Sequence, residues 1–110
     1  MTIPFKAHPC GHGYQAVFPT KSGNLTLSVV AGYYFYSTPR MDLVSPEEYT
    51  EVELAVFDNE GKWASKSQLE NIFNIIGQGE HEYNKDNNSP SNEVWGYISI
   101  KDIEKIWEEN

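Results

Sequence analysis

The chain has 110 residues, with 16 acidic side chains against 8 lysines and arginines and a formal net charge of −8. That length makes one domain able to bury a core without disulfides or metal, and the composition excludes collagenous, mucin-like and disordered classes. No apolar run approaches the ~18 residues of a membrane span, and the single cysteine, Cys10, excludes an intrachain disulfide.

In chain order, His8 to Gly13 is rich in Gly, His and Pro and reads as loop. Tyr14 to Phe18 and Leu25 to Val30 read as two strands joined across Lys21-Ser22-Gly23-Asn24, a turn signal, and so predict a hairpin. Tyr33-Tyr34-Phe35-Tyr36 begins either a third strand or an extended loop, broken by Ser37 to Arg40. Pro46 before Glu47 and Glu48 predicts a short helical turn. The clearest strand is Tyr49 to Phe57. Val52, Leu54 and Val56 share one face there, and Glu51 and Glu53 the other. Asp58 to Gly61 is a tight turn, with Lys62 to Ala64 predicted to return as partner strand.

A helix is predicted over Lys66 to Ile76, where Ser65 with Gln68 forms a capping box (Ser67 with Glu70 competes). Leu69, Ile72, Phe73 and Ile76 make its apolar stripe, and Gly77 suits a left-handed C-terminal cap. Residues 78–93 are polar. A connection that long in a compact domain is either mobile or functional. Val94 to Ile98 predicts the last strand. It leads into a helix from Ile100 to Trp107, capped by Ser99 and stapled by Ile98 onto Ile103. The predicted fold over residues 1–110 is a single α+β domain, a small mostly antiparallel sheet of roughly four to six strands with two helices on one face.

The charge is unevenly placed. Residues 1–41 hold Lys6, Lys21 and Arg40 and no carboxylate, so all 16 acidic residues face five lysines after residue 41, a net of −11. Such a surface repels phosphates and anionic lipid, which argues against direct nucleic-acid or membrane binding and for a basic protein partner. The plainer alternative is that the charge keeps the chain in solution. The N-terminus lacks the charged and apolar regions of a signal peptide, which predicts a cytoplasmic protein.

Gly13-Tyr14 before a short strand, the run Glu53-Leu54-Ala55-Val56-Phe57-Asp58-Asn59-Glu60-Gly61, and Gly96-Tyr97-Ile98-Ser99 with Asp102-Ile103 together resemble short phage and prophage proteins of unassigned function. The long segment from Ser65 to Glu93 departs from that group's spacing. The resemblance implies an origin in a mobile element and carries no catalytic residues.

His8, Cys10 and His12 put three candidate zinc ligands within five residues, with His81 as a candidate fourth, but the second ligand pair of a structural zinc site is missing. Cys10 with either histidine is also a candidate nucleophile and base, lacking any orienting group visible in sequence. The paired carboxylates Glu47/Glu48, Glu51/Glu53, Glu80/Glu82 and Glu108/Glu109 read as solvated faces. No phosphate loop, dinucleotide fingerprint, calcium loop or nucleophile elbow occurs.

In an extended chain Tyr34 and Tyr36 share a face opposite Tyr33 and Phe35, so an inward Phe35 leaves Tyr34 and Tyr36 as surface aromatics suited to an interface. The sequence therefore predicts a non-enzymatic, cofactor-free binding protein that inhibits a host nucleic-acid-processing complex, such as a CRISPR effector or restriction enzyme. Its partner-binding residues would be Tyr34, Tyr36, Glu47, Glu48, Glu51 and Glu53. The alternative is a small enzyme or zinc-dependent protein built on His8, Cys10 and His12.

Overall fold

A computed structural model describes residues 1–76 and 94–110. Strand β1 (Lys6–Ala7) lies against β2 (Tyr14–Pro19), which forms the expected hairpin with β3 (Leu25–Ala31). A long connection carrying one 3-10 turn (Pro46–Glu48) leads to β4 (Glu51–Asp58) and then to helix α1 (Lys66–Ile76). Strand β5 (Trp95–Ser99) runs straight into helix α2 (Ile100–Glu109). The five strands form one antiparallel sheet in the order β1-β2-β3-β4-β5. The protein is thus the predicted small α+β fold.

Alternation decides which side of the sheet is buried. Leu25, Leu27 and Val29 of β3 join Val52, Leu54 and Val56 of β4 in one core with Leu69 and Ile72 of α1 and Ile103 and Ile106 of α2. Both helices therefore cover the same face. The opposite face carries Val17, Thr26, Ser28, Glu51, Glu53 and Phe57, and Val17 is largely exposed.

The helix ends are closed as their sequences predict. In α1 the Ser65 amide donates to Gln68 Oε1 (2.8 Å) and the Gln68 amide to Ser65 Oγ (3.3 Å), the reciprocal pair of a capping box. In α2 the Asp102 amide donates to Ser99 Oγ at 3.1 Å. The far end of α2 is closed by the β2–β3 turn: the Lys21 amide donates to the Trp107 carbonyl (3.0 Å) and the Ser22 amide to that of Asn110 (3.3 Å). Carbonyls that a helix terminus leaves unpaired are met by a hairpin distant in sequence.

Two expectations change. Lys62 to Ala64 makes only an isolated bridge, Phe57 to Trp63, because Trp63 folds onto the Phe57 ring (4.7 Å between centroids) and Ser65 at once begins the helix cap. Tyr33 to Tyr36, expected as a third strand or an extended loop, is a turned loop: Gly32 adopts φ +148°, and the Phe35 amide donates back to the Gly32 carbonyl (3.1 Å). Gly77, His81, Glu80, Glu82 and the 78–93 connection lie outside the described residues.

Candidate protein-interaction surface

The connection between β3 and β4 is shaped by its own polar side chains. Buried Ser37 accepts from the Gly32 amide (3.0 Å) and donates to a carbonyl of the same loop. The Tyr33 amide donates to Asp42 Oδ1 (3.0 Å). Buried Tyr49 takes the Leu43 amide on its hydroxyl (3.0 Å) and donates to the Met41 carbonyl (2.5 Å). With these amides and carbonyls satisfied, the loop holds its apolar rings outward. Tyr33, Tyr34 and Tyr36 are 61%, 60% and 47% exposed.

The expected alternation fails here because the backbone is turned. Phe35 is half-buried against the His8 ring (4.9 Å), while Tyr33 and Tyr34 both face outward and meet edge to face at 5.2 Å. Tyr34 and Tyr36 are surface aromatics as expected, and Tyr33 joins them.

The structure adds Tyr97 and Arg40, which the sequence reading missed. A β-bulge interrupts the β4–β5 register between Val52 and Leu54, and Tyr97 takes φ +57°, the left-handed region that a bulky side chain rarely adopts. The Tyr97 amide donates to the Tyr36 carbonyl (3.0 Å), and the two rings lie 5.9 Å apart. Gly96 allows that approach: a Cβ there would sit 2.6 Å from the Tyr36 Cβ. The Arg40 guanidinium lies 4.9 Å over the Tyr36 ring and donates through Nε to the Tyr33 carbonyl (3.2 Å). Contacts therefore run from Tyr97 through Tyr36, Arg40, Tyr33 and Tyr34 to His12, whose ring meets Tyr34 at 5.1 Å and Asp42 at 3.1 Å. The sequence signal was Gly96 ahead of an aromatic in a strand, since an interior glycine often marks a bulge or close backbone approach.

The four glutamates expected to act together are separated. Glu47 and Glu48 are exposed on the 3-10 turn, where Glu47 accepts from the Ser45 hydroxyl and lines a groove with Met1, Tyr49 and Glu104. That hydroxyl holds the Glu47 carboxyl below its ordinary range. Glu51 and Glu53 do face away from the helices, but they are half-buried and brace the loop. Glu51 accepts from the Thr38 hydroxyl (2.6 Å), and Glu53 makes a long contact to the Tyr36 amide (3.5 Å). Burial pushes Glu53 above the ordinary carboxylate range, outweighing the Tyr36 amide and the Arg40 charge. Asp42 moves the other way, lowered chiefly by the Tyr33 amide and also by His12.

His8, Cys10 and His12 do not converge. His8 Nδ1 accepts from the Cys10 amide (3.0 Å), the Cys10 thiol donates to the His12 carbonyl (3.4 Å), and the His12 ring turns to Asp42. No group of three or more metal-ligating side chains occurs among the described residues. Among the same residues no helix is long and apolar enough to cross a membrane. Comparison with protein-family models, curated proteins and solved structures finds no match.

Proposed function

We propose that this chain is a non-enzymatic binding protein that presents an aromatic and acidic surface to a basic protein partner. The observation that carries this reading is the run of exposed, touching side chains from Tyr97 through Tyr36 and Arg40 to Tyr33 and Tyr34, flanked by Asp42 and Glu53. Tyrosine supplies large contact area with few rotatable bonds and is enriched where interfaces bury it. A strained φ at an exposed tyrosine is a cost that fold stability alone does not reward. The net charge of −8 selects a basic surface and raises its encounter rate. A nucleic-acid-processing complex, whose groove is basic, fits that chemistry. The resemblance to phage and prophage proteins supplies the setting, inhibition of such a complex in the host cytoplasm.

Capture from host lysate followed by mass spectrometry tests the proposal. The expected partner is a basic protein released by rising salt, because screening shortens the reach of surface charge from ~10 Å at 0.1 M to ~3 Å at 1 M. Joint Glu47→Lys and Glu48→Lys substitution, away from the tyrosine rings, should weaken capture through the net charge alone. A partner held equally well at low and high salt, and indifferent to that reversal, would reduce the acidity to a solubility device.

A further inference from the structure

The same surface contains a more specific device. Glu53 is a half-buried carboxylate with no ion pair among the described residues, and its contact to the Tyr36 amide is long at 3.5 Å. Two half-exposed rings, Tyr36 and Tyr97, stand beside it at 5.9 Å from each other and 42° apart. Aromatic faces next to a carboxylate attract a cation, by the ring quadrupole and by charge. The chain itself illustrates the affinity: its one arginine, Arg40, lies over the Tyr36 ring. Arg40 remains exposed, however, and its charge acts on Glu53 without an ion pair between the two. The Tyr36 ring thus carries an internal cation, and Glu53 feels that charge without an ion pair.

We propose that Tyr36, Tyr97 and Glu53 form a receptor for one arginine or lysine side chain of the partner, and that Arg40 is the occupant it displaces. This deepens the reading of the chain as a binder of basic protein and rests on it. The incoming cation gains a direct ion pair with Glu53 that Arg40 does not make, and the bulge in the β4–β5 register accompanies the Tyr97 ring beside Tyr36. Around Glu53 stand Arg40 and Tyr36 from the loop, Tyr97 from β5, Glu51 on the same strand and uncharged Val30 across on β3, with Lys6 farther along that row. A bound cation favours ionised Glu53, so affinity falls as pH drops and Glu53 protonates.

The test is a calorimetric titration at low ionic strength with an alternating glycine–arginine octapeptide, using the full chain. Tyr97→Ala and Glu53→Gln are each expected to weaken binding by roughly threefold to tenfold. Tyr97→Phe should bind like the parent, which separates loss of the ring from loss of the fold. Glu108→Gln, which removes the same charge from the far helix, should change affinity by less than about twofold, as a single exposed charge does. Arg40→Ala should tighten binding. Equal weakening by Glu108→Gln and Glu53→Gln, or weakening by Arg40→Ala, would overturn the receptor. In that event, salt-sensitive binding that survives Tyr97→Ala leaves the acidic-surface reading standing, so the two failures are distinguishable.

Discussion

Tyr97 holds a left-handed backbone that costs an ordinary L-residue about 1–2 kcal/mol, and its half-exposed ring recovers little of that by burial. Tyr97→Gly is therefore expected to leave the melting temperature unchanged or higher while weakening partner binding. A drop of several degrees would mean that the ring clamps the loop. Asp42 of the loop and Glu53 of β4 give opposite pH signatures. Asp42 is lowered in the folded state, so it contributes stability above the ordinary carboxylate range, and that contribution is lost as pH falls through its lowered value. Glu53 is raised, so the folded chain holds its proton more tightly than the unfolded one, and stability declines as pH rises through the raised range. At neutral pH Asp42→Asn should melt lower than the parent and Glu53→Gln higher. Melts of both variants at neutral and mildly acid pH check the signs, and the two differences should shrink together on acidification.

At the scale of elements, the two helices carry the fold's local logic. Ile103 is fully buried beneath α2, so Ile103→Asp places an unpaired charge in the core and should cost at least ~3 kcal/mol. Chemical denaturation of that variant checks the docking of α2, and a parental midpoint would contradict it. Ser99 caps α2 through the Asp102 amide, and Ser99→Ala should cost about 1 kcal/mol. These elements were legible because their determinants are local: a capping pair, a stripe at helical spacing, an alternating strand. The loop from Gly32 to Thr50 was not, because its shape depends on Ser37, Asp42 and Tyr49 bonding to backbone groups of the same loop, at separations of 5, 9 and 6 residues that follow no helical or strand period. Alternation, which puts Tyr33 on the same face as Phe35, applies to extended chain, and this segment is turned.

For the molecule as a whole, charge and topology divide the work. Reversing Glu47 and Glu48 should leave the melting temperature nearly unchanged, because both are exposed and solvated charges contribute little. Reversing Glu51 and Glu53 should lower it, because they hold Thr38 and the Tyr36 amide. Comparing the two double variants by thermal melt tests whether the acidic residues form one functional set or two. Sequence alone determined the α+β class, the hairpin, both helices with their N-terminal caps and the uneven charge. Each of these follows from periodicity, capping chemistry or composition, which neighbouring residues supply. Only the tertiary structure decided that Tyr97 meets Tyr36, that Arg40 lies over it, that Glu53 is half-buried, and that His8, Cys10 and His12 turn to different partners. Those outcomes depend on a bulge and a loop that bring residues 36, 40, 53 and 97 together across the sheet, and juxtapositions that distant along the chain leave no local pattern to read.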